Sequence, residues 1–459
     1  MNNAKFVLSA LALSLALGGC ARSDYQRPQV ELAANWSQPL SGKAMVAGER
    51  WWDSFNDPAL SALIDQVLLA NNDLAVAALK VRQAQLQSGI ADLNLTPDVS
   101  AGLSASRQKP LDGGDASSSY SANVSLSYEL DLWGRLASVR DAAAWEAAAT
   151  EYDRQAAALS LVATTAQLYW QLGYLNDAIK VAEAALANTQ KTLSLVEVRL
   201  AAGAVSPLER YQARQSVASQ QAALTQLRQQ RFEARTALAV LFNQGPEQRQ
   251  SEPASLPASS LPAVPAGLPA DLLGRRPDLQ AAELRLKSSL ANVDQVATSF
   301  YPTLSLTGAL GGSSDALKTV LDNPIASLGA GLALPFIQWQ QRDLNISVAE
   351  NQYQQAVAGF RQSLYGALKE VEDSLSARAR YQAQGQALNE ALDAAKAAER
   401  IAEVRYRTGA TGVQDYLDQQ DSRRSAELAV AQNRFNQLGN LMTLYRALGG
   451  GAEKAPAQG

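Results

Sequence analysis

The chain has 459 residues, with 44 acidic and 40 basic side chains, a net charge of −4, no histidine and one cysteine. The near-neutral balance, without a basic run, argues against nucleic acid as a partner. The lack of histidine excludes histidine-based acid–base catalysis and histidine-ligated metal, and a lone cysteine excludes an internal disulfide or a cysteine metal cluster.

Lys5 precedes an apolar run from Phe6 to Leu17, too short to span a bilayer and suited to a signal peptide over residues 1–19. The run ends in Leu17-Gly18-Gly19-Cys20. Small residues before a cysteine resemble a bacterial lipobox, in which the cysteine is lipidated and becomes the mature N-terminus. Ala21 follows it, not the Asp that usually keeps such proteins in the inner membrane, so the expected address is the outer membrane. One lipid group holds a protein weakly, so a second anchor is expected.

Trp51-Trp52 and Asp57-Pro58 open a short helix toward Ala70, and Asn71-Asn72-Asp73 caps a second that ends near Asn94, before Pro97. Its expected face is Leu74, Ala78, Val81 and Gln85. The period then changes to two. Val99, Ala101, Leu103 and Ala105 alternate with polar residues, a polar loop runs from Arg107 to Ser119, and Tyr120, Ala122, Val124, Leu126, Tyr128, Leu130 and Leu132 alternate again. Such alternation predicts a β-hairpin, half-buried on a soluble core or facing lipid; the outer-membrane address favours lipid.

From Arg135 to Ala202 the chain has no proline and is rich in helix formers. Ile179, Ala182, Leu186, Thr189, Leu193, Val196 and Leu200 form a three–four seam, so a long coiled-coil helix is predicted. It stops at Gly203, and Ser206-Pro207 opens a return helix to about Phe242. A linker with six prolines covers residues 244–271.

The pattern then repeats with an offset near 205 residues. Asp73-Leu74 recurs as Asp278-Leu279, Pro97 as Pro302, and the turn at Gly203 as that at Gly409. A second alternating hairpin spans 302–336, a second proline-free stretch 342–408, and a second return helix 411–448. The expected division is a signal peptide (1–19), an N-terminal segment (20–70), repeat one (71–243), the linker (244–271), repeat two (272–449) and a flexible tail (450–459).

Each repeat supplies two strands. Four strands cannot close a barrel, and an open edge in lipid strands backbone groups at several kcal/mol each. Small barrels begin at about eight strands. Several chains must therefore assemble, two giving eight strands or three giving twelve, around a hollow duct.

The motifs resemble the outer-membrane efflux (TolC-type) family, lipoprotein branch. They are the Cys20 lipobox, Asp24-Tyr25-Gln26-Arg27-Pro28, Trp52-Asp53-Ser54-Phe55-Asn56-Asp57-Pro58, Asp131-Leu132-Trp133-Gly134-Arg135, Arg275-Arg276-Pro277-Asp278 and Ala447-Leu448-Gly449-Gly450-Gly451. One departure is Gln341 before Arg342, where the family usually has glycine. The resemblance implies a mainly α fold: a trimeric twelve-stranded transmembrane β-barrel, four strands per chain, continuous with a long periplasmic α-helical barrel. It implies a periplasmic adaptor and an inner-membrane pump, as a rule of the proton-driven RND type, as partners, and a passive exit duct for small molecules. It implies no cofactor beyond lipid on Cys20. At the tip of the second hairpin, Leu417, Asp421 and Arg424 share one helix face; by resemblance they, with Asp418 and Asp415, line the gate or tie hairpins together, while Gly203 and Gly409 turn the tips and meet the adaptor.

Two other functions fit parts of the sequence. The same fold serves as the exit channel of ABC-type or type I secretion systems, and a structural coiled-coil lipoprotein would need no strands. An enzyme is not expected: no nucleophile–base pair, phosphate loop or metal motif is evident, and Glu370, Glu372 and Asp373 read as a solvated helix face. Met1, Met45 and Met442 form no ladder for soft metals.

Overall fold

The computed structural model describes residues 23–38, 50–263 and 269–450. The signal peptide, Cys20 and the tail from residue 451 lie outside them. Besides a four-residue helix at Leu272–Arg275, the helices are α1 (Pro58–Ala70), α2 (Asn72–Leu93), α3 (Arg135–Ala201), α4 (Pro207–Leu241), α5 (Pro277–Thr298), α6 (Trp339–Arg407) and α7 (Val413–Ala447). The strands are β1 (Asp98–Gln108), β2 (Ser117–Leu130), β3 (Thr303–Ser314) and β4 (Ile325–Ala333). Two compact units emerge, and neither is a sequence repeat. One takes the chain up to Val30 with Leu79–Tyr152 and Gln280–Ser363; the other takes Glu31–Ala78, Asp153–Leu279 and Leu364 onward.

In the first unit the strands form one antiparallel sheet in the order β1-β2-β3-β4. β2 begins before Tyr120 and β3 runs beyond Gly311, so the ladder extends into the serine- and glycine-rich loop ends. The turn into α3 uses its motif fully. Asp131 accepts hydrogen bonds from the backbone N–H groups of Leu136 and Ala137 at 3.0 and 2.8 Å, an N-terminal cap. Gly134 sits at φ +75°, a left-handed conformation that favours glycine. Arg135 pairs with Glu129 at 2.8 Å, and Trp133 donates to the Pro302 carbonyl at 2.7 Å. The second repeat solves this corner without glycine: a 3-10 turn over Pro335–Ile337 leads into α6, which starts at Trp339, three residues before Arg342. On α2 the buried positions are Val81, Ala84 and Ala91, while Gln85 is exposed, so the packed face is rotated from the expected one.

The second unit is held by an aromatic cluster. Trp51 stacks on Tyr445 at 4.9 Å and meets Trp52 edge-on, and Phe55 contacts Trp170 at 4.9 Å. Asp57 caps α1 through Ala59 and Leu60. Each repeat is also tied end to end. Asn71, before α2, donates to the Leu241 carbonyl at the end of α4 at 2.9 Å. Arg276, before α5, donates to the Ala447 carbonyl at the end of α7 at 3.1 Å. Arg276 further binds Asp278 at 2.7 and 3.0 Å and Glu370 at 2.8 Å, and Glu370 also receives Arg446. Glu370 is therefore an ion-pair hub and Glu372 a partner of Ser37, not parts of a solvated face; only Asp373 is exposed. The α3 seam buries Ile179, Ala182, Thr189 and Val196, with Ile179 and Ala182 packed on Leu224 of α4.

Candidate functional site

The sheet has two chemically distinct faces. Across the strands, Val99 pairs with Leu126, Leu126 with Gly308 and Gly308 with Leu328; one step on, Ala101, Val124, Leu310 and Ala326 align. These share one face with Leu103, Leu306, Leu304 and Leu332. They are open to the surroundings: Leu103 is 87% and Leu328 95% exposed. The other face aligns Ser100, Ser125, Ala309 and Ser327, and Ser104, Ser121 and Ser313. Cross-strand hydroxyl pairs join Ser100 to Ser125 and Ser104 to Ser121 at 2.7 Å. A sheet apolar on an exposed side and lined by small polar groups on the other is built for lipid outside and water inside. The outer edges of β1 and β4 have no partner strand among the described residues.

The helical tips lie in the second unit. Both turns are built alike. Gly203, at φ +72°, and Gly409, at φ +78°, follow α3 and α6. The Ala204 N–H reaches the Arg199 carbonyl at 2.9 Å and the Ala410 N–H reaches that of Arg405 at 2.8 Å. Each is a Schellman stop, for which a left-handed glycine is the usual residue.

Between the hairpins, Val196, Ala213, Tyr406, Val413 and Leu417 form one buried cluster. Arg199 binds the Tyr406 carbonyl at 2.8 Å and lies over its ring at 4.8 Å, and Tyr416 stacks on Tyr406 at 6.0 Å. Leu417 is 5% exposed, so its side chain fills the contact between hairpins of the same chain. Asp421 stands out from it: its side chain is 55% exposed and takes Arg424 at 2.7 Å and Gln220 of α4 at 3.4 Å. Asp415 and Asp418 are exposed, and Gln414 donates to Asp418 at 2.7 Å.

Sequence reasoning missed three participants here. Gln220 is buried on α4, Gln420 reaches Thr192 at 3.4 Å, and Arg423 joins buried Glu399 at 2.8 Å and Glu427 at 3.0 Å. The signal for the last was the one-turn spacing of Arg423 and Glu427. No such local signal marks Gln220. No group of acidic or cysteine side chains able to hold a metal occurs among the described residues.

Residues 63–244 and 268–450 match the model of the outer membrane efflux protein family. The chain belongs to that family. The two matched segments flank residues 245–267. The pyoverdine export outer membrane protein OpmQ of Pseudomonas putida is 35% identical over 97% of both chains. The open-state MtrE outer membrane channel of Neisseria gonorrhoeae superposes with a TM-score of 0.82 at 32% identity, covering 94% of this chain and 98% of that one. The CmeC channel of Campylobacter jejuni gives 0.87 at 25% identity, covering 95% and 96%. The fold is TolC-like. This efflux family member is an outer-membrane channel of an efflux pump, located in the outer membrane and extending into the periplasm. Its four strands are at odds with a strandless coiled-coil lipoprotein.

Proposed function

We propose that three copies of this chain close a twelve-stranded barrel and serve as the passive exit duct of a tripartite efflux pump. The observation that carries the trimer is the sheet itself: an exposed apolar face, a small polar face and two unpaired edges. In lipid every unpaired backbone group costs several kcal/mol, so the edges demand strands from neighbouring copies. An exposed apolar stripe on α2, Leu79, Leu86, Ile90 and Leu93, supports helix packing between copies as well. The lumen side of serine, glycine, threonine and asparagine carries little chemistry for discrimination, which leaves substrate choice to the pump.

The gate lies at the helical tips. Asp421 and Arg424 present the charged part of it, with Asp418 and Asp415 on the same exposed side, while Leu417 acts as a packing residue beneath. Three Asp421 carboxylates around one axis repel one another and attract cations; Arg424 and Gln220 offset that repulsion in the closed form. Gly203 and Gly409 shape the ends that meet a periplasmic adaptor, which couples the duct to a proton-driven RND-type inner-membrane pump. Cys20, freed by removal of residues 1–19, carries lipid and adds a second anchor to the barrel.

The test is deletion of the gene in a strain lacking redundant channels. Accumulation of the pump's drug substrates should rise and return to normal on complementation. Unchanged accumulation would overturn the efflux role.

A further inference from the structure

The N-terminal segment runs along α5 in a measurable register. Arg27 grips Glu283 with two hydrogen bonds at 2.9 and 2.7 Å, Tyr25 donates to the same carboxylate at 3.3 Å, and Ser23 binds Asp294 at 3.0 and 2.6 Å through its N–H and hydroxyl. Four residues of chain, about 14 Å when extended, thus follow eleven residues of helix, about 16 Å. The segment is extended and climbs toward the end of α5. Three further residues back add about 10 Å, or about seven helix residues. Seven residues beyond Asp294 is Tyr301, just past the end of α5 at Thr298.

At that level the same unit holds an apolar cavity of about 620 Å³. Trp133, Phe300, Tyr301, Leu304, Leu332 and Phe336 line it, and Arg342 contributes the one charged side chain. Its size falls within the range of roughly 300–1,000 Å³ for small-molecule sites. Leu304 and Leu332 are cross-strand neighbours on the apolar face of the sheet, so the cavity opens where that face begins. Its walls are fixed rather than pliable: Trp133 is held by the Pro302 carbonyl at 2.7 Å and meets Tyr301 edge-on at 5.3 Å.

We propose that this cavity receives one acyl chain carried by Cys20 of the same chain. Arg342 donates to the ester carbonyls of the lipid at the cavity mouth. The inference rests on the lipoprotein reading above and goes beyond it: the anchor is seated in the protein rather than only dissolved in the bilayer, which fixes the N-terminal segment along α5.

The experiment uses the full-length protein in phosphatidylethanolamine–phosphatidylglycerol vesicles, with a benzophenone amino acid in place of Phe336 or, as a control, of Leu103 on the same sheet face. Intact mass first establishes whether Cys20 is acylated. After irradiation and trypsin, which cuts behind Arg22, the Phe336 probe should yield the acylated Cys20–Arg22 peptide as its main adduct, and the Leu103 probe phospholipid alone. Acylated protein whose Phe336 probe captures only phospholipid, or a strand of another copy, overturns the proposal and leaves the lipoprotein reading standing. An unacylated mature chain overturns both.

Discussion

Arg424 directs both its Nε, at 3.0 Å, and its Nη2, at 2.7 Å, onto one oxygen of Asp421 a single turn away on α7. Four residues before Asp421, Leu417 points into the buried contact between hairpins. One helix face therefore divides into a charged end that looks outward and an apolar end that holds the tips together. Asp421→Ala should weaken closure and leave the fold intact. Higher single-channel conductance in planar bilayers and greater antibiotic sensitivity are the expected readings, with Leu417→Ala instead lowering stability by roughly 2–5 kcal/mol.

Arg276 joins the start of the second repeat to its end. Its side chain is 12% exposed, and removing it leaves Glu370, the Ala447 carbonyl and Asp278 without their shared partner. Asp278 is half exposed and Glu370 keeps Arg446, so the loss costs about 1–3 kcal/mol, the range for a buried hydrogen-bonding group left without its partner. Arg276→Ala should depress the thermal unfolding temperature followed by circular dichroism. Arg276→Lys should recover little of it, because a single ammonium cannot reproduce the planar fork.

The linker is pinned by a carboxylate. Hydrogen bonds from Arg235 hold Glu252 below the ordinary glutamate range, outweighing burial, which acts the other way. A carboxylate whose pKa is lower folded than unfolded stabilises fully above its unfolded value, about 4.3. That stability is lost as pH falls through the lower, folded value. Pepsin cleavage within residues 244–263 should therefore accelerate in the wild type as pH drops below about 4. Glu252→Gln should be cleaved faster than the wild type at about pH 4–5, and the ratio of the two rates should approach one as pH falls, which removes pepsin's own pH dependence.

Adjacent residues on β1 should respond oppositely to charge. Leu103 faces outward with the apolar residues, whereas Ser104 pairs with Ser121 on the polar side. Lysine on the lipid side of a barrel costs about 2–4 kcal/mol near the midplane and little on the lumen side. Leu103→Lys should reduce the folded fraction on heat-modifiability gels, and Ser104→Lys should fold normally with altered ion selectivity.

The strands were legible because lipid and water impose a period of two, which Val99 to Ala105 and Tyr120 to Leu132 display openly. Their ends were not: Ser117 to Ser119 and Gly312 to Ser314 pair in the ladder without any apolar mark. The long helices were legible from composition and from the glycine that stops each one. Packing partners were harder to read. A leucine at heptad spacing, such as Leu417, can face a pore or a neighbouring hairpin, and spacing alone does not choose. The contact between Arg276 and Ala447 joins residues 171 apart, and no local pattern encodes it. Gln220 was missed for the same reason, since its partner Asp421 lies on another helix.

The proposed assembly makes the four-stranded sheet one third of a closed wall. Light scattering on the detergent-extracted protein, corrected for bound detergent, measures this directly. A protein mass of three chains is predicted; a stable, folded, membrane-inserted species of one or two chains would contradict it.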